Sequence, residues 1–409
     1  MDDNNLAVEG GTPVRSTPLA YGRQWINEED IAAVTNTLRS DFLTCGPKVT
    51  ETEQKLRAYT GAGYVSLMNS GTSALHAAAF AAGLGEGDEM IVTPFTFMAS
   101  ANCALYVGAS PVFADIDPKT YNIDPDKIKE QITPRTKAVV AVDFSGELVN
   151  VEEIRKICDD HNLVFIEDAA HSIGSKYLSK DGSVKICGTL ADMTCMSFHP
   201  VKTVTAAEGG AVLTDNADYA EKVSLFRTHG MEHDHDKIPY AGDPDDFGLW
   251  YYDQALLGYN YRMTDVQAAL LGSQLDRIDS LIRRRKELVK KYDEVFAEMS
   301  EIHTQAHAPW SDAARHLYTI RLNRELLSCT RKEFFEAMRA ENIYCQVHYV
   351  PTYYFTQYQK LGYRRGLCPV AESVYENIMS IPLFPLMTDA DQADVIEAVQ
   401  KIVSRYRKQ

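Results

Sequence analysis

The middle of the chain alternates between short apolar runs and segments with helical periodicity, from about residue 63 to about residue 213. This alternation, at the spacing of βαβ units, is the feature that most limits the possible folds. The apolar runs predict strands at 64–68, 89–92, 111–114, 138–142, 163–167, 193–197 and 211–213. The segments between them predict helices at 73–82, 98–106, 127–131 and 151–158. Because strands that are apolar on both faces need a cover on each side, the sequence predicts an α/β fold with a mostly parallel sheet.

The last part of the chain predicts a second, smaller unit. A charged amphipathic pattern at 278–299 predicts a long helix that leads out of the large domain. Beyond it, the pattern favours a strand at 316–322 and helices at 330–341 and 389–406, and a further helix is predicted near the start, at 27–38. We expect residues 1–277 to form an N-terminal segment with the large domain. Residues 278–409 would then form the linking helix and a smaller C-terminal α/β domain.

Composition excludes several classes of function. The chain has 409 residues, of which 45% are apolar and 24% charged, and its formal net charge is -16. Nucleic acid and anionic membranes repel such an acidic chain, so neither is an expected partner. No window approaches the length of a membrane span, and the polar N-terminus lacks a signal-peptide pattern. The eight cysteines show no metal-site or disulfide spacing. We expect a cytoplasmic protein with reduced thiols and no bound metal.

A turn rich in small polar residues follows the first predicted strand of the sheet. It reads Asn69-Ser70-Gly71-Thr72-Ser73 and precedes an Ala-rich helix. Gly71 permits a tight turn, and Thr72 and Ser73 can cap the helix. Free N–H groups at a helix N-terminus attract an anion such as a phosphate. A plain helix cap without any ligand is the alternative interpretation of this turn.

A carboxylate and a histidine follow the strand predicted at 163–167. Asp168 lies at the end of this buried strand, where a charge is costly unless it has a partner. It could cap the following turn or pair with a basic side chain, or it could pair with the ring nitrogen of a pyridine cofactor. His171 is near enough in sequence to reach the same place, although an isolated histidine can equally be a core residue.

The run at 197–202 places a primary amine, that of Lys202, on a short loop after another predicted strand. The hydroxyl of Ser197 could bind phosphate, whereas a single lysine is most often a solvated surface residue. Ligands collect beyond the carboxyl ends of parallel strands, so Lys202, Asp168 and the turn at Gly71 are expected in one place. An amine that can bond an aldehyde, an acid for a ring nitrogen and a phosphate turn together favour pyridoxal phosphate.

With further motifs, these residues resemble the DegT/DnrJ/EryC1/StrS family of sugar aminotransferases over nearly the whole chain. The motifs that carry the resemblance lie at 21–24, 43–47, 70–76, 93–97, 168–171, 197–202, 258–265 and 346–351. The family has the fold-type I architecture of pyridoxal phosphate enzymes. The resemblance therefore implies that architecture here, pyridoxal 5′-phosphate as cofactor, and an aminotransferase activity on a nucleotide sugar.

The resemblance also implies the residues that bind the cofactor. Lys202 would bond the cofactor covalently and move the proton during transfer, and Asp168 would pair with the ring nitrogen. His171 stands where many members have Gln, which implies a place near the ring hydroxyl. The other expected contacts are Gly71, Thr72 and Ser197 at the phosphate, Ser73 beside them, Phe97 on the ring face, and Asn260 from a neighbouring subunit. A shared site of this kind implies a homodimer.

The resemblance is strongest to members that aminate C4 of UDP-4-keto-6-deoxy-N-acetylhexosamines for surface-glycan sugars, and it implies L-glutamate as the amino donor. The expected contacts to the nucleotide sugar are Tyr21, Arg262, His348 and Tyr349. Two features depart from the pattern of this subgroup, Cys45 and the loop at 144–147, and both are expected to border the sugar pocket.

Three alternatives stay open at the level of the sequence. The acceptor could be another nucleotide keto-sugar, aminated at C3 or linked to dTDP or GDP. A sugar dehydratase of the same family carries a histidine in place of the lysine, and Lys202 speaks against it. A regulator that binds pyridoxal phosphate or a nucleotide sugar without catalysis would be expected to lack the lysine or the acid, or to carry an added module.

Overall fold

The computed structural model describes residues 5–238 and 250–408. Its helices are α1 (Glu28–Leu38), α2 (Pro47–Thr60), α3 (Gly71–Ala81), α4 (Ala99–Tyr106), α5 (Pro125–Gln131), α6 (Val151–His161), α7 (Ala217–Phe226), α8 (Asp265–Leu275), α9 (Ile278–Phe296), α10 (Arg331–Ala340), α11 (Thr356–Lys360), α12 (Pro369–Asn377) and α13 (Asp389–Tyr406). Its strands are β1 (Tyr64–Met68), β2 (Glu89–Val92), β3 (Ser110–Phe113), β4 (Thr136–Val142), β5 (Val164–Asp168), β6 (Lys176–Leu178), β7 (Val184–Ile186), β8 (Met193–Ser197), β9 (Gly210–Thr214), β10 (Met231–Glu232), β11 (Asp253–Gln254), β12 (Ile302–Thr304), β13 (Ser311–Asp312), β14 (Tyr318–Leu322) and β15 (Ile378–Ile381).

A seven-stranded sheet forms the centre of the large domain, in the order β1-β9-β8-β5-β4-β2-β3. The pairs from β8 to β3 are parallel, whereas β9 is antiparallel to both β1 and β8. The predicted α/β fold with a mostly parallel sheet is confirmed. Each strand of the sheet lies within two residues of its predicted position, because buried strands are continuous apolar runs that end at polar turns.

Both faces of this sheet are buried, and successive residues of a strand belong to opposite cores. On β4, Val139 and Ala141 pack into one hydrophobic cluster, and Val140 packs into the other. This is the two-residue period of a strand covered on both sides. Burial of a branched side chain of this kind stabilises the fold by about 1.5–3 kcal/mol. The two cores hold the strand ends rigidly, and side chains at those ends are correspondingly fixed.

The smaller unit is built on the antiparallel sheet β12-β14-β15, with α10 and α13 packed beside it. The long helix α9 contributes Leu288, Tyr292 and Phe296 to its core. Two residues of the N-terminal segment, Leu6 and Leu19, are buried in the same cluster. Helix α1 packs instead on α8. The division of the chain at residue 277 stays a prediction.

Five helices of the described chain lie outside the sequence prediction, namely α2, α7, α8, α11 and α12. Helix α2 begins at Pro47, and α8 begins at Asp265. A further difference concerns α3, because Ser70 rather than Thr72 or Ser73 is its N-cap. Among the described residues, none of the helices combines the length and the apolarity needed to cross a bilayer. The eight cysteines are free thiols, of which Cys45 is exposed and the others are buried.

Candidate active site

A cavity of about 420 Å³ opens at the carboxyl ends of the parallel strands. The end of β5 supplies Asp168 and His171 to its lining, and the loop after β8 supplies Lys202. The N-terminal segment adds Tyr21, and the smaller unit adds Tyr349. The cavity is therefore walled by the sheet on one side and by chain segments from both ends of the sequence on the other.

Close packing of the backbone brings three strand ends together at this edge. On β9, Gly210 lies opposite Ser197 of β8 and Met68 of β1. A Cβ at Gly210 would lie 2.3 Å from the carbonyl oxygen of Ser70, and one at Gly71 would lie 2.9 Å from the Cβ of Ser197. Both positions thus require glycine, and the absence of side chains lets the start of α3 approach the end of β8.

The start of α3 has donors that are free to bind an anion. The Ser70 side chain accepts from Ser73 N–H, and Ser73 Oγ donates to the Ser70 carbonyl at 2.8 Å. The N–H groups of Gly71 and Thr72 have no acceptor within the described chain. Both residues line the cavity together with Ser197, whereas Ser73 is buried beneath the turn. The turn accordingly presents N–H groups and hydroxyls at the positive end of a helix, the arrangement that binds a phosphate.

Lys202 is the basic group of the cavity. Its amine has no hydrogen-bond or ion-pair partner among the described residues. Removal from bulk water lowers the pKa of Lys202 to about 8, although the nearby charge of Asp168 opposes this shift. A substantial fraction of the side chain is therefore uncharged slightly above neutral pH, which is the state in which an amine is a nucleophile or a base.

Asp168 is the acid of the cavity, and it is held by two donors. Ser100 Oγ donates to Oδ2 at 2.5 Å, and the Ala170 N–H donates to Oδ1 at 3.1 Å. Burial raises the pKa of Asp168, while these two hydrogen bonds and the charge of Lys202 lower it. The carboxylate is only 5% exposed and has no arginine or lysine in direct contact within the described residues. Its position and orientation are fixed, and its charge is available to a cationic ligand.

The contacts of His171 define which of its ring nitrogens carries the proton. Its Nδ1 lies 3.2 Å from the backbone N–H of Ser145, which can only donate. Burial, with the charge of Lys202, lowers the pKa of His171 well below its usual range, so the ring is neutral. The proton is then on Nε2 and donates to Tyr349 Oη at 3.1 Å. Because the Tyr349 oxygen accepts this hydrogen bond, the O–H of Tyr349 is free to donate into the cavity.

A loop behind the cavity fixes two histidines at once. Ser145 has a left-handed backbone with φ of 65°, which turns its N–H towards His171 and its carbonyl towards the N–H of His316 at 2.8 Å. The hydroxyl of Ser145 donates to the Leu317 carbonyl at 2.6 Å. A non-glycine residue adopts this conformation at a cost, and here three hydrogen bonds offset it.

Three further histidines of the described chain line the cavity, namely His199, His316 and His348. The ring of His316 lies 4.6 Å from that of His171, and His348 Nδ1 is 2.7 Å from Ser380 Oγ. Burial and the charge of Lys202 lower the pKa of His316 well below its usual range and that of His348 to about 3. The cavity therefore holds neutral imidazoles beside the amine. His316 and Ser100 were not predicted as site residues from the sequence, because no local pattern marks either of them.

The other predicted residues divide into those within and those outside this cavity. Phe97 lines it and is 55% exposed. Asn260 and Arg262 do not line it, and they lie on the chain segment that follows β11. The carbonyl of Asn260 accepts from Asn69 at 3.3 Å, and Arg262 Nη1 is buried without a hydrogen-bond partner in the described chain. Within one subunit, the side chains of Asn260 and Arg262 therefore lie outside the cavity that contains the amine of Lys202.

Cys45 and the loop at 144–147, which depart from the pattern of the subgroup, do not line this cavity within the described chain. Cys45 is exposed and is absent from the lining of the cavity, and its φ of 56° belongs to the turn before α2. Phe144 and Ser145 are fully buried behind His171. The expectation that these positions border the sugar pocket stays a prediction. The loop acts on the cavity indirectly, through the histidines that it holds.

Pyridoxal 5′-phosphate fits the groups that this cavity provides. The free N–H groups of Gly71 and Thr72 suit its phosphate, and the buried carboxylate of Asp168 suits a protonated ring nitrogen. The amine of Lys202, which has no partner among the described residues and a lowered pKa, suits its aldehyde. Among the described residues, the two N–H groups and the amine lack a partner and Asp168 lacks a counter-charge, and the cofactor would supply each of these.

Comparisons with known proteins find several similar sugar-biosynthesis proteins. Spore coat polysaccharide biosynthesis protein SpsC of Bacillus subtilis is 38% identical over 94% of this chain and 97% of that protein. A UDP-4-amino-4,6-dideoxy-N-acetyl-beta-L-altrosamine transaminase of Campylobacter jejuni is 36% identical over 95% of this chain and 99% of that protein. The structure of Helicobacter pylori PseC, an aminotransferase of pseudaminic acid biosynthesis, superposes with a TM-score of 0.86 at 31% identity, covering 95% of this chain and 100% of PseC.

A family-level match covers most of the chain. The sequence profile of the DegT/DnrJ/EryC1/StrS aminotransferase family matches residues 24–400. The similar proteins are covered almost completely, so the match concerns whole enzymes rather than a shared domain. The chain therefore belongs to the DegT/DnrJ/EryC1/StrS aminotransferase family, whose members are pyridoxal phosphate-dependent sugar aminotransferases.

Proposed function

We propose that this enzyme transfers an amino group from L-glutamate to C4 of a UDP-4-keto-6-deoxy-N-acetylhexosamine, in the biosynthesis of a surface glycan. The observation that carries the chemistry is the cavity itself, in which an amine of lowered pKa, a buried acid and a free helix N-terminus meet. The choice of acceptor is supported by the similarity to a transaminase of a UDP-linked sugar and to a polysaccharide biosynthesis protein.

Four residues would hold pyridoxal phosphate in this cavity. Gly71, Thr72 and Ser197 would bind its phosphate, and Asp168 would pair with its ring nitrogen. When bound, the cofactor supplies an electron-accepting ring that stabilises negative charge on the carbon bearing the amino group. Phe97 lines the same cavity and is proposed to cover one face of the ring.

Lys202 is the proposed proton carrier. Its Nζ would bond the cofactor at rest and become a free amine once the donor amino acid has bound. A pKa of about 8 allows this amine to accept a proton from Cα of the donor and to return one to C4 of the sugar. Because the same atom serves both half-reactions, its loss would stop both.

Asp168 is proposed to keep the ring nitrogen protonated. The hydrogen bonds from Ser100 and Ala170 hold both carboxylate oxygens in place. Burial in a poorly screened environment strengthens the attraction between this carboxylate and a cation. Ser100 thus acts on the reaction through the position of Asp168.

The histidine and tyrosine residues are proposed to orient the sugar. With His171 donating to its oxygen, the Tyr349 hydroxyl directs its proton into the cavity, where a sugar oxygen can accept it. Tyr21 and His348 line the same cavity, and their ring centres are 5.4 Å apart. Their rings offer the sugar an aromatic surface that also carries polar atoms. Neutral imidazoles avoid repulsion with the amine of Lys202.

A homodimer is the proposed working form, in the cytoplasm. The segment that carries Asn260 and Arg262 also exposes Trp250, Leu257 and Tyr259, and exposed apolar groups of this size are typical of an interface. Arg262 Nη1, buried and unpartnered within the described chain, would gain a partner across such an interface. Asn260 would then reach the phosphate in the neighbouring subunit.

Product analysis tests the proposed acceptor. The purified enzyme is incubated with glutamate and with a panel of UDP- and dTDP-linked 4-keto sugars, and NMR spectroscopy identifies the carbon that gains nitrogen. We expect a 4-amino sugar from the UDP-linked N-acetylhexosamine. Turnover of dTDP-linked sugars alone, or amination at C3, would disprove the proposed substrate while leaving the aminotransferase chemistry intact.

The variant Lys202→Ala tests the proposed chemistry. Without the amine, both half-reactions lose their proton carrier, and we expect a loss of about 10⁴-fold in kcat. Lys185→Ala, on the exposed strand β7, is the matched control and should retain full activity. Turnover by Lys202→Ala within tenfold of the parent enzyme would exclude Lys202 from the reaction.

A further inference from the structure

Lys202 also lines a second and much smaller cavity, between its loop and helix α9. The volume of this cavity is about 10 Å³, which is room for one water-sized particle. Its lining includes Thr203 from the lysine loop and Arg285 from α9. Neither of these two residues takes part in the proposed transfer reaction.

Arg285 is a buried cation without a counter-charge. It is 1% exposed, and its Nη1 donates to the carbonyls of His316 at 3.1 Å and Leu383 at 3.0 Å. No carboxylate of the described residues pairs with it, and its Nε has no hydrogen-bond partner. Burial lowers the pKa of this guanidinium to about 10. A buried charge compensated only by carbonyl dipoles is costly and favours a negative partner.

The rest of the described lining of the small cavity contains no group that could compensate the charge of Arg285. Thr203 is 5% exposed, and its Oγ1 is a second buried group without a hydrogen-bond partner in the described chain. Arg23 adds a second guanidinium to the lining, and no carboxylate is found among the described residues that form it. The surroundings thus combine two arginine cations with an unpartnered N–H and an unpartnered hydroxyl.

We propose that this cavity binds one small monovalent anion of the size of chloride, held by Arg285 and Thr203. A water molecule could satisfy the two unpartnered groups, but it would leave the guanidinium uncompensated. An anion satisfies both groups and also supplies the missing charge. A volume of this size favours a monatomic anion over a polyatomic one such as phosphate or sulfate. The bound ion would join α9 to the loop that carries Lys202, and the proposal is independent of which sugar the enzyme aminates.

Thermal unfolding of the holoenzyme tests this proposal at constant ionic strength. Sodium gluconate is replaced stepwise by sodium chloride, because gluconate is too large for the cavity. We expect a saturable rise of Tm, of about 2 °C or more, as chloride binds the folded state. Arg285→Met and Thr203→Val should each reduce this rise. Arg283→Met, an exposed position on the same helix, is the matched control and should retain it.

Crystals soaked in bromide give a second and direct measurement, which does not depend on the variants folding. We expect an anomalous scattering peak in contact with Arg285 Nε and Thr203 Oγ1. The proposal is overturned if the position holds a water molecule without bromide density. It is equally overturned if chloride and gluconate give the same Tm, or if both variants retain the full chloride effect.

Discussion

The two sides of the main cavity are built in different ways. Its sheet side comprises Gly71, Thr72, Asp168, Ser197 and Lys202, which lie at or just beyond the ends of adjacent strands. Its histidine side comprises Tyr21, His171, His316, His348 and Tyr349, most of which come from the N-terminal segment and the smaller unit.

The difference separates reaction chemistry from substrate choice. The sheet side is rigid because strand pairing fixes Asp168 and Ser197, and the sheet itself lies between two hydrophobic cores. The histidine side depends on long-range hydrogen bonds, such as those of Ser145 to His171 and His316. Changes on the sheet side should therefore alter cofactor binding and both half-reactions. Changes on the histidine side should alter mainly the use of the sugar.

After the loss predicted for Lys202→Ala, the largest effect is expected from Asp168→Asn, on the sheet side. The amide keeps the shape of the side chain but loses the charge that would keep the ring nitrogen protonated. We expect kcat for both half-reactions to fall by about 10³-fold, or about 4 kcal/mol of activation free energy, measured by single-turnover kinetics. Glu167→Gln is the matched control. Glu167 is the residue before Asp168 on β5, and its variant makes the same change from carboxylate to amide on the opposite face of the sheet. An equal loss in both variants would contradict the assignment.

A smaller effect is expected from Gly71→Ala. A Cβ at this position would lie 2.9 Å from the Cβ of Ser197, so the turn must move away from the strand end. We expect the Kd for pyridoxal phosphate to rise by about tenfold or more, or about 1.4 kcal/mol, measured by equilibrium titration. Gly85→Ala, where a Cβ meets nothing within 4 Å, should leave the Kd unchanged. Unchanged affinity in Gly71→Ala would remove the turn from the cofactor site.

Tyr349→Phe should separate the two sides of the cavity. It removes the hydroxyl proposed to contact the sugar and leaves the sheet side intact. We expect kcat/KM for the sugar to fall by about tenfold, with the glutamate half-reaction unchanged within twofold. Tyr363→Phe loses a hydroxyl that donates to the Pro111 carbonyl at 2.6 Å, and should lower stability without changing KM. Equal losses in both half-reactions of Tyr349→Phe would contradict the separation.

The smallest effect concerns the stability of the cofactor-free enzyme. The pKa of Lys202 is lowered in the folded state from 10.5 to about 8, so between these pH values the unfolded chain binds more protons. Stability then rises with pH across this window, and below it the folded state carries the full penalty of a buried ammonium. Lys202→Met should raise Tm at pH 7 by a few degrees. The gain should vanish near pH 10.5, whereas Lys185→Met should change Tm little at any pH.

Sequence patterns located the seven strands of the central sheet and the sheet side of the cavity because both depend on local signals. Asp168 and Lys202 each follow an apolar run, so their position at one sheet edge follows from βαβ topology. Helix α2 was missed because part of its N-terminal capping is distant. The carboxylate of Asp265 accepts from Gly46 N–H and Lys48 N–H, both at 2.8 Å. Helix α8 did carry a local signal, the capping box of Thr264 and Gln267.

The histidine side could not be derived from local patterns. His316 lies two residues before β14, where a single histidine in an apolar run indicates only a core position. Its place beside His171 depends on Ser145, which is 171 residues away along the chain and adopts a left-handed backbone. Tyr21 and Tyr349 were identified only through the family resemblance. Contacts of this range are products of the tertiary fold.

The covalent attachment of the cofactor is the most direct test of the proposed site. Reduction of the purified holoenzyme with borohydride makes a lysine–cofactor bond permanent, and mass spectrometry of the digested protein identifies the modified peptide. We expect the added mass of reduced pyridoxal phosphate on Lys202, and its loss when glutamate is added before the reductant. Modification of a different lysine, or an unmodified protein that still transfers amino groups, would contradict the assignment of Lys202.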